Sequence, residues 1–335
     1  MNPRIVAVDF ETFYSKKDYS LKDLGVAAYL RDPRFDAYLI SVCDGEDTWA
    51  GHPSEFHWPA LEGATLLSHN AGFDSRVYTR LVELGRAPKV NFKEWHCTAN
   101  LSVYLSMRRD LARASEFLLG TQVDKSYRED ADGKTMADMV AAGVFEKVKA
   151  AGRTDAQTCW QLWAKFGHLW PDAERRVSDL TIRHCTRGCA LDLEELKRQL
   201  TAAQRALIQA DAVLPWVAAG RAPTSPKAIA EECRKHGIPC PPVKSRDGEE
   251  AFDEWAATYA PRFDWVKAYT DYRVINKYIT QLETLQARTH DGIFYYDLLY
   301  FGAHTGRWAG AGGFNMQAIR KSPLLLSDDG KILKG

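Results

Sequence analysis

The segment IVAVDFET (residues 5–12) ends the chain's most apolar run in two carboxylates. A row of β-branched and small apolar residues predicts a strand buried on both faces. Side chains on a strand repeat every two residues, so Asp9 and Glu11 emerge on one face. Like charges that close repel, and each raises the other's pKa unless a cation sits between them. Oxygen-only ligands of this kind suit Mg²⁺ or Mn²⁺. The alternative is a solvated strand end that carries two unrelated acids.

A second element bears on the choice. LLSHNAGFDSRVY (residues 66–78) sets Asp74 just after another apolar strand, with Asn70 and Phe73 before it. A carboxylate at a strand-to-helix junction points over the end of the sheet, where Asp9 and Glu11 also lie. Asn70 offers an amide to a substrate, and Phe73 a flat apolar face. On its own, Asp74 also reads as an acid favoured by a helix N-terminus.

The rest of the chain alternates and then turns helical. Strands are expected at RIVAVDF and ATLLSH, with AAYL and DAYLISVC as a hairpin pair, and a helix over 73–84. Helical pieces follow near 97–106, 115–119 and 155–166. HLWPDAERR marks a break, and Pro171 with Asp172 suits a helix start whose periodicity runs to about residue 216. AAGRAPTSPK opens a further helix at Pro226, and HGIPCPPVKSRDGEE is a Pro/Gly-rich connection. With 335 residues there is room for two cores. The expected division is an α/β domain over 1–170 with a mixed central sheet, followed by a mostly α-helical domain over 171–335.

Composition narrows the partners. Lys+Arg and Asp+Glu are 44 each, so nucleic acid would be held by a local basic surface rather than by net charge. MNPRIVAVD has no signal-peptide core and no apolar run reaches membrane length, which points to the cytoplasm. Seven cysteines at irregular spacing fit reduced thiols. His184, Cys185 and Cys189 cluster but lack the second half of a zinc site, and read as ordinary helix residues.

VDFET followed by HNAGFD resembles the first and second motifs of the DEDD-type 3′–5′ exonucleases, which have a ribonuclease-H-like fold. That family takes a fourth acid from a later helix, and AAGRTDAQTCWQLW offers Asp155, read as opening an amphipathic helix with Trp160, Leu162 and Trp163. The resemblance implies that Asp9, Glu11, Asp74 and Asp155 hold two Mg²⁺ (or Mn²⁺) ions about 3.5–4 Å apart and hydrolyse a phosphodiester. Phe10, Thr12, Asn70 and Phe73 would meet a frayed single-stranded 3′ end, the two aromatics by stacking or, alternatively, by packing in the core. Family members carry a Tyr four residues, or a His five residues, before the last acid to position the attacking water. Here those positions are Ala151 and Ala150. His168 with Asp172 is a rival pair at a different spacing.

The second half carries its own resemblance. HTGRW…FNMQ is similar to the segment between thumb and palm of family A DNA polymerases, in the phage-type form GAHTGRW. PTSPKAIAEECRKHGIP and FDWVKAYTDYRVINKYITQLETL resemble thumb helices of the same family. The matches run from Val6 to Pro323 in the order exonuclease, thumb, start of palm. Lys227, Arg273, Lys277, Arg307 and Gln317 are the implied contacts to primer–template, with Arg320 and Lys321 as further cations. Asp328 and Asp329 do not resemble the palm acids and read as a solvated loop. The sequence lacks palm acids and a fingers helix, so the expectation is either one piece of a longer polymerase or a polymerase that needs a separate palm-and-fingers chain for templated synthesis, in a bacterial host cytoplasm if phage-encoded. The functions implied are a proofreading exonuclease or, alternatively, a noncatalytic DNA-binding subunit whose exonuclease site has decayed.

Overall fold

A computed structural model describes residues 4–242, 248–312, 314–319, 325–326 and 332–334. The chain forms two compact units, Met1–Cys189 with Tyr295–Ala318, and Ala190–Phe294 with Ile319–Gly335. No described helix is long and apolar enough to cross a membrane. Arg320, Lys321, Asp328 and Asp329 lie outside the described residues.

The first unit is built on a five-stranded mixed sheet. Its strands are Ile5–Thr12 (β1), Ala37–Cys43 (β2), Thr48–Gly51 (β3), Thr65–Ser68 (β4) and Trp95–Cys97 (β5), in the order β3-β2-β1-β4-β5. β1 runs antiparallel to β2, with Asp9 opposite Ser41 and Glu11 opposite Leu39, and parallel to β4. Its alternation sorts the side chains. Val6, Val8 and Phe10 enter one core, with residues of Leu21–Arg31 (α1) and Ala71–Glu83 (α2). Ala7 enters the opposite core, with Leu67, Ala156, Cys159 and Trp163. Asp9 and Glu11 therefore share the face of Ala7.

That second face is covered by the helix Phe145–Phe166 (α7), after the shorter helices Thr98–Tyr104 (α3), Leu111–Leu119 (α4), Tyr127–Ala131 (α5) and Met136–Ala141 (α6). Its buried stripe is Phe145, Val148, Gly152, Asp155, Ala156, Cys159, Leu162 and Trp163, the i, i+3/i+4 spacing of one helix face. Burying each large apolar member stabilises the unit by about 1.5–3 kcal/mol, and the only charged member is Asp155. Gly152 sets the distance, because a Cβ there would lie 2.4 Å from Ser41 Oγ on β2. Asp155 is thus in the middle of a 22-residue helix and does not open one. The sequence expectation started the helix late because the charged residues before Asp155 mask its apolar period.

Two other expectations shift. Ala27–Leu30 is helical, not a hairpin strand: Ser20 caps α1 by accepting from Asp23 N–H, and the short apolar run AAYL carries no period that separates strand from helix. The hairpin partner of β2 is β3. The division after residue 170 also falls elsewhere. Trp170 is completely buried, so HLWPDAERR is a turn within one core and not a linker. The next helix, Asp172–Arg187 (α8), places Ile182 in the core shared by β1 and α2, then stops at Gly188, whose φ is +67°. Tyr295–Ala318 joins the same unit, since Trp170 Nε1 donates to the Tyr300 hydroxyl (3.2 Å) and Asp297 pairs with Arg76 (2.7 Å).

The second unit pairs two long helices, Leu193–Val213 (α9) and Asp264–Ala287 (α12). Small residues Ala202, Ala203 and Ala206 of α9 let Ile275 and Ile279 of α12 pack closely. Pro226–Lys235 (α10) starts at a Ser225 cap with Pro at its first position, and with Gly248–Tyr259 (α11) encloses a core of Trp216, Trp255, Trp265 and Tyr269.

Candidate metal centre

Three carboxylates meet above the end of β1. Oxygens of Asp9, Glu11 and Asp155 all lie within 4.8 Å of one another, the only such metal-competent group among the described residues. Neither the pair His168 and Asp172 nor the trio His184, Cys185 and Cys189 forms one. Asp74, at the start of α2, is buried and accepts from Phe10 N–H (3.1 Å) and from the Ser68 hydroxyl. It lines the same cleft of about 460 Å³ as the other three acids.

The electrostatics of this cluster are unfavourable without a cation. Burial, then Glu11, Asp155 and Asp74, pushes Asp9 well above the usual carboxylate range. Burial raises Glu11 against the hydrogen bond from Tyr127, and raises Asp155 against the adjacent Lys125. Asp74 is pushed up to about 7 by burial, which the Ser68 and Phe10 hydrogen bonds oppose. Asp9 Oδ2 and Asp155 Oδ1 are buried without a hydrogen-bond partner. Buried acceptor oxygens of this sort are costly, and a divalent ion satisfies them and favours their ionised form together. The donor set is all oxygen, which suits Mg²⁺ and Mn²⁺.

Three residues of the centre carry no sequence signal. Lys125 Nζ pairs with Asp155, the Tyr127 hydroxyl donates to Glu11 Oε1 (2.6 Å), and Arg128 lines the cleft. All come from KSYRED, a segment without periodicity. Tyr127 meets Glu11 across 116 residues of sequence, so only the tertiary fold shows the contact. Its ring packs in a cluster that has Ala151 at its edge. Ala150 is exposed on α7. Lys16, between β1 and α1, and Lys22, in the first turn of α1, also line the cleft.

The remaining predicted residues fall into two groups. Phe10 is packed in the core and Thr12 is buried with its hydroxyl 2.7 Å from that of Tyr29, while both residues also line the cleft. Strand alternation sends both away from Asp9 and Glu11. Asn70 is exposed in the left-handed conformation (φ +92°), and Phe73 is half-buried at the cleft. Arg307 and Gln317 are exposed on the Tyr295–Ala318 segment, and Arg307 Nε donates to Thr305 Oγ1 (3.2 Å). In the second unit, Lys227 and Lys277 are exposed. Arg273 lies over the Phe252 ring, 3.7 Å from its centroid, a cation–π contact that holds it against the core.

No protein-family model and no curated protein matches the sequence. Among solved structures, the chain is similar to the POL domain of Pol1 from M. smegmatis, in complex with DNA primer-template and dNTP. The TM-score is 0.59 and the identity 14%, over 97% of this chain and 53% of that one. That likeness shows a shared fold. The chain spans about half the length of this polymerase-domain structure. It also overlaps NrnC from Brucella melitensis with bound Mg²⁺, at a TM-score of 0.36 and 14% identity over 55% of this chain and 82% of that one.

Proposed function

We propose that this chain is the 3′–5′ exonuclease part of a phage-type family A DNA polymerase, with a ribonuclease-H-like first domain, removing mismatched 3′ termini. The observation that carries the reading is the convergence of Asp9, Glu11 and Asp155 within 4.8 Å, with orphaned buried oxygens on two of them. The polymerase-domain fold is consistent with it.

In this reading Asp9, Glu11 and Asp155 would hold one Mg²⁺ or Mn²⁺, and Asp74 beside them would complete the set for a second. Bound there, the metal supplies a water of lowered pKa and charge stabilisation for the leaving 3′-oxygen. Tyr127 fixes Glu11, and the Phe10 N–H and Ser68 hydroxyl fix Asp74, so the ligands are held before substrate arrives. Phe73 stacks on the terminal base and Asn70 hydrogen-bonds it. Lys16, Lys22 and Arg128 attract backbone phosphates to the cleft. Lys227, Lys277, Arg307 and Gln317 serve the duplex.

The test is incubation with a 5′-labelled primer bearing a mismatched 3′ end. Shortening in Mg²⁺ or Mn²⁺ that stops with chelator and in Asp9→Ala is expected. A second reading, a noncatalytic DNA-binding subunit, is favoured by one observation: Lys125 already pairs with Asp155 while Ala150 and Ala151 stand where the family has His or Tyr. Retention of DNA without shortening, unchanged by Asp9→Ala, would select that reading.

A further inference from the structure

We infer that Lys125 is a built-in counter-cation that competes with divalent metal for Asp155 and so sets the metal affinity of the centre. The inference rests on the metal-centre reading above. Four acids line one cleft, and among the described residues Lys125 is the only lysine paired with any of them. The pair is shielded: the Asp155 side chain is 5% exposed and that of Lys125 23%. A charge pair at that depth is strong enough to resist displacement, whereas the same pair at the surface would be screened.

The placement of Lys125 suits exchange. It lies in the non-helical stretch between Gly120, which ends α4 in the left-handed conformation, and Tyr127, which begins α5. The turn is shaped locally, as Asp124 accepts from Ser126 N–H (2.8 Å) and from its hydroxyl (2.9 Å). The backbone is therefore held while the Lys125 side chain keeps its four-carbon reach. Asp155 Oδ2 faces Lys125, and Oδ1 is the buried oxygen with no partner. Metal bound among Asp9, Glu11 and Asp155 places positive charge beside the ammonium, so the two cations repel. Other groups face the pair too: the Tyr127 hydroxyl and the Arg128 guanidinium both favour the ionised Asp155, Arg128 by its charge acting from a distance, while the ion pair at Asp155 Oδ2 is made by Lys125.

The test uses the full chain without DNA and reads Mn²⁺ binding by calorimetry in wild type, Lys125→Met and Lys125→Arg. Lys125→Met should bind Mn²⁺ about tenfold or more tightly than wild type, and Lys125→Arg close to wild type. Equal affinity in wild type and Lys125→Met would overturn the inference, as would weaker binding in Lys125→Met. If neither wild type nor variant binds Mn²⁺ while circular dichroism shows both folded, the metal-centre reading itself fails and takes the inference with it. A measurement on wild type alone covers a variant that does not fold. Acylation of Lys125 by an amine-directed reagent, followed by mass spectrometry, should rise several-fold when Mn²⁺ replaces chelator. No change in labelling would overturn the inference.

Discussion

At the residue scale, Asp74 shows how one carboxylate stores the cost of the centre. Its pKa is raised to about 7 from 3.8. A group raised on folding contributes stability that is present below the unfolded value and lost as pH rises through the folded one. Chelated protein should therefore lose stability between about pH 4 and 7, and Asp74→Asn should escape much of that loss. The amide keeps an acceptor for Phe10 N–H and gains a donor toward Ser68, so the variant should be on the order of 2–4 kcal/mol more stable than wild type at pH 8 in chelator. Thermal melts with and without Mg²⁺ check this, and the variant should show no 3′ shortening. Tyr127→Phe removes the hydrogen bond to Glu11 and should cost about 1–2 kcal/mol of stability. Its shortening rate should fall severalfold with primer binding unchanged, read by single-turnover kinetics and by filter binding. Asp9, Glu11 and Asp74 were singled out from local patterns, a strand end and a strand-to-helix junction, whereas Asp155, in the middle of α7, was reached only through the family resemblance. Lys125 and Tyr127 were not legible in the sequence, because their meaning lies in partners far along the chain.

At the element scale, α7 decides whether the acids converge. Gly152 lets the helix approach β2, and Asp155 follows one turn later on the same buried stripe. Gly152→Ala tests which effect wins. Alanine favours the helix by about 1 kcal/mol, but its Cβ would meet Ser41 Oγ at 2.4 Å and Leu39 Cδ2 at 3.1 Å, an overpacking that costs about 1–3 kcal/mol. The variant should melt lower than wild type and bind Mn²⁺ more weakly, as α7 lifts Asp155 from Asp9. A melt at or above wild type would show that the sheet yields instead. The strands β1, β2 and β4 were readable from their apolar runs, whereas AAYL was not, since four apolar residues fit a strand as well as a capped helix.

At the scale of the whole molecule, the two-core organisation followed from length and from the change to helical periodicity, but its boundary did not. Trp170 is buried in a segment whose Pro and charges read as a break, and Tyr295–Ala318 returns to the first unit after more than a hundred residues of the second. No local signal marks such a return. Exposed Lys277 and Arg307 are assigned to DNA backbone by the proposal, and core-bound Arg273 gives a contrast. Lys277→Ala and Arg307→Ala should each weaken primer–template binding and lower the slope of log affinity against log salt by about one. Arg273→Ala should instead lower the melting temperature through its lost ring contact, with the salt slope unchanged.

In the proposed function, acids from three separate elements surround divalent metal. A crystal soaked in Mn²⁺ and measured at the manganese edge tests it most directly. An anomalous peak bounded by Asp9, Glu11 and Asp155, with Asp74 alongside, is expected. Acids turned apart, with no manganese peak among them, would contradict it.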